Sequence, residues 1–118
     1  MLTKQLVENI IKGIQEKKGK SIVNLDITQL EQSIADNFII CHGDSNTQVD
    51  AIADSVEAFV KKELHERPLH KEGTQNSQWI LLDYGMVIVH IFQKEYRDFY
   101  NLEGLWADAK IQTIEESK

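Results

Sequence analysis

Cys41 and His42 are the residue types of a thiol nucleophile and its base, and they are adjacent in the sequence. A cysteine acts as a nucleophile in its thiolate form, which a nearby imidazole can stabilise. Adjacent residues of a strand, however, point to opposite faces of the sheet, so this pair would not share a site. The pattern therefore favours a buried structural cysteine over a catalytic one.

The remaining histidines and the aspartates do not have the spacing of a metal centre. His65 and His70 flank Pro68 and would not share a helix face, which indicates solvent-exposed side chains. His90 lies in an apolar run, where a core histidine is more common than a metal ligand. The aspartates form no Asp-x-Asp pair on a strand, and the chain contains no glycine-rich phosphate loop. The sequence therefore predicts no metal and no cofactor, and it disfavours an enzyme.

Length and charge limit the classes of partner. The 118 residues suffice for one domain, and 42% hydrophobic with 27% charged residues is typical of a folded globular protein. Nineteen acidic against thirteen basic side chains leave a net charge of −6, which disfavours specific nucleic-acid readout and favours a basic protein partner. A single cysteine excludes an internal disulfide and suggests a reducing compartment. With neither a membrane-length apolar run nor a signal-peptide core, the chain is predicted to be cytoplasmic, with no membrane segment.

Hydrophobic periodicity predicts the elements that position these residues. The segments are helices near Leu2–Ile14, Val49–Leu64 and Tyr96–Trp106, and strands near Ser21–Ile27, Asp36–Cys41, Trp79–Asp83 and Met86–Phe92. Tyr84 and Gly85 join the last two strands as a β-hairpin. Residues 69–73 are predicted to be a short extended piece, and residues 28–34 a turn of helix or a loop.

Apolar residues on both faces of the strand near Met86–Phe92 predict that it is central and covered by helices. The predicted fold class is α/β, a single small domain with a mixed β-sheet flanked by helices. The domain is predicted to span residues 1–108, and residues 109–118 are predicted to be a loosely ordered tail.

Four segments carry a more specific signal than periodicity. They are Trp79–Phe92 (WILLDYGMVIVHIF), Arg97–Trp106 (RDFYNLEGLW), Ala35–Ile40 (ADNFII) and Ser45–Ala53 (SNTQVDAIA). In this order and spacing, with Glu72-Gly73 before the tryptophan strand, the chain from about Leu2 to Trp106 closely resembles the ribosomal silencing factor family, also called the Iojap family.

The resemblance implies a small fold related to nucleotidyltransferases, without known catalysis. Members of the family bind large-subunit protein fourteen on the intersubunit face of the large ribosomal subunit. There they obstruct docking of the small subunit and lower translation when nutrients are scarce. They often form homodimers when they are off the ribosome. An acidic domain without a catalytic constellation fits this function.

The resemblance also indicates which side chains bind the partner. Trp79 and Tyr84 match family positions associated with the ribosomal contact, and aromatic residues often anchor interfaces. The alternative is that both pack on the sheet. Met86 stands where the family usually has a second acidic residue, so that charge is missing here, and the methionine can make an apolar contact instead. His90 and Phe92 are predicted to share the face of Met86 and to extend that surface, with core packing an equal alternative.

A rival hypothesis is a metal-dependent nucleotidyltransferase that kept the activity of its fold. His42-Gly43-Asp44-Ser45 loosely resembles the glycine-serine loop of that superfamily. Ser45 and Gln48 have the spacing of a capping box, and the N-terminus of a helix can hold phosphate. The order Gly-Asp-Ser and the lack of paired metal carboxylates on a strand count against this hypothesis. The sequence favours a translational repressor that acts by steric exclusion.

Overall fold

The computed structural model describes residues 2–28 and 35–115, which form four helices and six strands. The helices are α1 (Leu2–Glu16), α2 (Asn46–Leu64), α3 (Lys94–Tyr100) and α4 (Leu102–Leu105). The strands are β1 (Lys20–Asp26), β2 (Asn37–Gly43), β3 (His70–Glu72), β4 (Trp79–Asp83), β5 (Val87–Gln93) and β6 (Lys110–Thr113). Most of the prediction for residues 28–34 lies outside the described residues.

The six strands form one sheet in the order β3-β4-β5-β2-β1-β6. Strands β2 and β5 are parallel, and the four other pairings between the described strands are antiparallel. The sheet is therefore mixed, and β5 lies inside it as predicted. The predicted fold class, a single small α/β domain with a mixed sheet and flanking helices, is confirmed.

Alternation of side chains along the strands divides the core between the two faces of the sheet. One face packs against α1 and α2, and its strand residues include Cys41, Leu82 and Val89. The other face carries Phe38 and Phe92, and residues of α3 and α4 cover part of it. Because both faces are apolar, the central strands read as continuous hydrophobic runs.

The start of α2 matches the predicted capping box in one half only. The Ser45 hydroxyl accepts a hydrogen bond from the Gln48 backbone N–H at 3.1 Å. The Gln48 side-chain oxygen accepts from the N–H of Asp44 at 2.7 Å, one residue before the expected partner. At the other end, α2 stops at Leu64 because His65 adopts the left-handed conformation with φ 57°, before Pro68 is reached.

The hairpin between β4 and β5 forms at the predicted place. The Tyr84 N–H donates to the Val87 carbonyl at 2.9 Å, and Gly85 has a φ of 88° that favours glycine. Before β4, Gly73 has a φ of 89°, and a Cβ there would lie 1.8 Å from the carbonyl oxygen of Trp79. Only glycine therefore lets the chain approach the start of the tryptophan strand so closely.

The C-terminal part differs from the prediction in two places. The aromatic helical segment divides at Asn101, whose left-handed φ of 48° ends α3 and begins α4. The loosely ordered tail predicted from residue 109 is wrong for Lys110–Thr113, which form β6 at the edge of the sheet, paired with β1. All four residues of β6 are exposed, so backbone pairing rather than a hydrophobic pattern holds the strand in place.

Candidate partner-binding surface

Trp79 lies on the face of the sheet opposite α1 and α2, directly across from Phe92 on the neighbouring strand. Its half-buried ring stacks on Phe92 with 4.9 Å between ring centroids, and it contacts Tyr100 at 4.8 Å. Tyr100 contacts Phe99 edge to face at 5.1 Å. We call Trp79, Phe99 and Tyr100 the aromatic surface; the latter two are 78% and 44% exposed.

The chain brings α3 to this face because the helix follows β5 without an intervening loop. Helix α3 begins at Lys94, directly after Gln93, and Asn101 ends it seven residues later. This short helix carries Tyr100 to Trp79 and leaves Phe99 in solvent. A continuous helix through residue 106, as predicted, would have had no break between Tyr100 and Leu102.

His90 lies beneath Trp79 and is only 5% exposed. The indole Nε1–H of Trp79 donates to its Nδ1 at 3.0 Å, and Phe38 packs against the imidazole edge to face at 5.0 Å. Burial lowers the pKa of His90 to about 4, so the ring is neutral at pH 7. Phe92 is fully buried in the same cluster. His90 and Phe92 therefore pack in the core beneath the aromatic surface, as the core-packing alternative expects.

Tyr84 lies on the other face of the sheet, in the cluster beneath α1 and α2, and is 6% exposed. Its buried hydroxyl has no hydrogen-bond partner within the described ranges, and burial raises the pKa of the phenol. Trp79 and Tyr84 thus do not form one surface. Their separation along the chain is five, and an odd separation on an extended strand places two side chains on opposite faces, a signal that the sequence already contained.

Met86 lies in the turn before β5 and is 40% exposed. Its sulfur accepts a hydrogen bond from the Thr3 hydroxyl of α1 at 3.1 Å, and its carbonyl accepts from the N–H of Asp36 at 2.7 Å. The prediction that Met86 shares a face with His90 and Phe92 is wrong, because the turn places it against the start of α1. It lies beside the carboxylate of Asp36, which also contacts the Thr3 hydroxyl at 3.3 Å.

Arg97 is the residue that sequence reasoning missed. Its guanidinium is buried and donates to the carbonyl of Ser21 at 2.7 Å and to Nδ1 of His42 at 3.0 Å, with Glu103 as its ion partner at 3.1 Å. Burial, followed by the charge of Arg97, lowers the pKa of His42. A spacing of six between Arg97 and Glu103 matches no helical contact, so only the break at Asn101 brings them together.

The loop of the rival hypothesis lacks the geometry of a phosphate site. The side-chain oxygen of Gln48 accepts the Asp44 backbone N–H, so this donor is not free for a phosphate, and the Asp44 carboxylate pairs with Lys20 at 2.8 Å. Cys41 and His42 face opposite sides of the sheet as predicted, and burial raises the pKa of the Cys41 thiol to about 12. Within residues 2–28 and 35–115, no three His, Cys, Asp or Glu side chains lie close enough together to hold a metal ion.

These features define a small α/β domain with an aromatic surface on one side of its sheet. In the part of the chain that the structure describes, no helix has the length and apolarity to cross a bilayer. The sequence matches the family described as "Ribosomal silencing factor during starvation" over residues 2–118. The chain belongs to this ribosomal silencing factor family.

Individual relatives agree with this assignment. A ribosomal silencing factor of Halalkalibacterium halodurans is 36% identical over 98% of this chain and 97% of the relative, and one of Haemophilus influenzae is 42% identical over 86% and 98%. The chloroplastic Iojap protein of Zea mays is 39% identical over 61% of this chain and 31% of its own length. A crystal structure of a Chromobacterium violaceum protein superposes with a TM-score of 0.83 at 32% identity, covering 97% of this chain and 93% of that one.

Proposed function

We propose that this protein silences translation by binding the large ribosomal subunit at its intersubunit face, on large-subunit protein fourteen, and blocking the small subunit sterically. The protein performs no chemistry in this role, and it acts in the cytoplasm, where ribosomes translate. The observation that carries the proposal is the exposed aromatic surface on a member of the ribosomal silencing factor family.

The aromatic surface has the composition of an interface centre. Tryptophan and tyrosine concentrate binding energy because they bury a large, rigid area at a small entropic cost. Trp79 is held by Phe92 and Tyr100, so a partner would meet a ring that is already ordered. Phe99, 78% exposed, extends the area at the edge.

Charge around the aromatic surface favours a basic partner. Glu95 lines the same hollow as Tyr96, Phe99 and Tyr100, whereas Asp98 of the same helix is already paired with Lys94 at 2.9 Å. The one arginine of α3 is turned inward to Ser21 and Glu103, so its charge is neutralised within the fold. A net charge of −6 attracts a basic ribosomal protein over distance and disfavours direct contact with RNA phosphates.

Steric exclusion requires occupancy and no catalytic group. A dissociation constant of about 1 μM corresponds to roughly −8 kcal/mol, which suffices when factor and subunit are both at micromolar concentration.

The same aromatic surface is available to a second copy of the chain, so we propose that a homodimer forms off the ribosome. Sedimentation equilibrium over a range of concentrations tests this dimer.

The test of function is sedimentation with separated ribosomal subunits, followed by a joining assay. We expect the protein to travel with large and not with small subunits, and to slow joining when it is added first. It should act less on joined ribosomes, where its site would be covered. Equal effects in both orders, or association with small subunits, would contradict steric exclusion.

Two controls make this test specific. Trp79→Ala should lose large-subunit binding, whereas Ile111→Ala should keep it. Ile111 is also an exposed apolar residue, but it lies on β6, at the edge of the sheet away from β4 and Trp79.

Titration with nucleotide and Mg²⁺ tests the rival enzyme. A specific, metal-dependent nucleotide complex would favour that rival.

A further inference from the structure

Of the two ring nitrogens of the histidine beneath the aromatic surface, one has a hydrogen-bond partner within residues 2–28 and 35–115 and the other has none there. Nδ1 of His90 accepts the Trp79 indole N–H at 3.0 Å. Nε2 is buried and has no hydrogen-bond partner among the residues that the structure describes. Because an acceptor nitrogen carries no proton, the neutral ring must carry its proton on Nε2.

The Nε2–H of His90, considered by itself, lowers the stability of the fold. A buried N–H without an acceptor loses its hydration and gains nothing in return. The surroundings of the imidazole are aromatic, with Phe38 at 5.0 Å and Phe92 at 6.3 Å between ring centroids, so a phenylalanine would suit the same space. Within the described residues, the Nδ1 hydrogen bond to the Trp79 indole is the side-chain interaction of His90 that a phenylalanine could not make.

We propose that His90 is a positioning residue that holds the indole of Trp79 in the orientation in which it meets the partner. This inference rests on the proposed function, since it takes Trp79 to be part of the ribosome-binding surface. The imidazole receives the indole N–H from below, which fixes the ring against Phe92 and Tyr100. The partner then meets the exposed part of a ring whose polar group is already satisfied.

Without an acceptor below it, the indole N–H would turn towards water, because Trp79 is half-buried and can reach solvent. The partner would then have to desolvate the N–H and order the ring on binding. Both costs reduce affinity, even where the contact itself is unchanged. His90 thus acts on binding through Trp79 while itself remaining buried.

Two substitutions separate positioning from a purely structural role. His90→Phe keeps the aromatic volume and removes the acceptor, whereas His90→Asn is smaller but places an amide oxygen where Nδ1 stands. We expect His90→Phe to keep or raise the melting temperature and to bind purified large subunits about tenfold more weakly. We expect His90→Asn to melt earlier and to bind within about twofold of the unmodified protein. Binding that follows stability in both variants would overturn the proposal.

A double variant and one spectroscopic measurement complete the test. In a Trp79→Phe background, His90→Phe should weaken binding no further, because the two changes act through one contact; a second, additive loss would contradict the proposal. Long-range ¹H–¹⁵N NMR of the unmodified protein at pH 7 should show His90 as the Nε2–H tautomer, with the Trp79 indole proton slow to exchange. The Nδ1–H tautomer would overturn the proposal without any variant. If the tautomer is as expected but the unmodified protein does not bind large subunits, the proposed function fails instead.

Discussion

The guanidinium of Arg97 meets the carboxylate of Glu103 through two hydrogen bonds of 3.1 Å, across the point where α3 gives way to α4. The same guanidinium reaches the Ser21 carbonyl near the start of β1 and the His42 imidazole near the end of β2. One buried side chain thus ties both short helices to the sheet. These helices carry the exposed Phe99, Tyr100 and Leu105.

We predict that Arg97→Met loosens the α3–α4 segment and lowers the free energy of unfolding by about 3 kcal/mol, because it leaves Glu103 and a backbone carbonyl without their partner. Urea unfolding gives the stability change, and hydrogen exchange locates it. Lys94→Met is the matched control, since its ion pair with Asp98 is exposed and should matter by less than about 0.5 kcal/mol. Equal effects of both substitutions would contradict the prediction.

We predict opposite outcomes for the two aromatic residues of the first hairpin strand and its turn. Trp79→Ala should weaken large-subunit binding by about 2 kcal/mol, because it removes the centre of the aromatic surface. Tyr84→Phe should leave binding unchanged and raise the free energy of unfolding by up to about 1 kcal/mol, since it removes a buried hydroxyl that has no hydrogen-bond partner in the described part of the chain. Affinity and urea unfolding check both. A loss of binding in Tyr84→Phe would show that the Tyr84 hydroxyl takes part in the interface.

We predict that stability falls on mild acidification because of two buried histidines. Burial lowers the pKa of His90 from 6.5 to about 4, and burial together with Arg97 lowers that of His42. Below pH 6.5 these histidines bind protons in the unfolded chain but not yet in the folded chain, which lowers the free energy of unfolding. Their full contribution to stability is therefore present above pH 6.5. For His90 alone, roughly 3 kcal/mol should be lost between pH 6.5 and 4.

Unfolding measured at several pH values checks this dependence, and His90→Phe provides the control. The variant should have a flatter profile from pH 6.5 to 4, with the remaining slope arising from His42 and the carboxylates. A profile identical to that of the unmodified protein would show that His90 does not titrate in this way.

We predict that Met86→Asp destabilises the fold, because the new carboxylate would face Asp36 around the Thr3 hydroxyl. The cost should be about 1 kcal/mol at low salt and smaller at high salt, since Met86 is partly exposed. Met86→Asn, which matches the size of the aspartate without its charge, is the control.

We also expect Met86→Asp to weaken large-subunit binding if Met86 serves as an apolar contact. Tighter, salt-sensitive binding would instead show that the family's acidic contact can be restored at this position.

The sequence by itself determined the local elements and the family. The Ser45 cap, the apolar face of α2 and the Tyr84-Gly85 turn depend on neighbours in the chain, so periodicity and turn chemistry were sufficient for them. The separation of five between Trp79 and Tyr84 also determined that they face opposite sides, although both match family positions associated with the ribosomal contact.

Only the tertiary structure decided which distant residues meet. Arg97 reaches Ser21 across 76 residues of chain because the sheet order places β2 beside β5 and β1 next to β2. Strand β6 is held by backbone pairing, which leaves no pattern in its exposed side chains. The state of His90 likewise depends on burial and on one indole N–H, neither of which its own sequence neighbours specify. Contacts of this kind arise from packing between elements, and packing is a property of the whole chain.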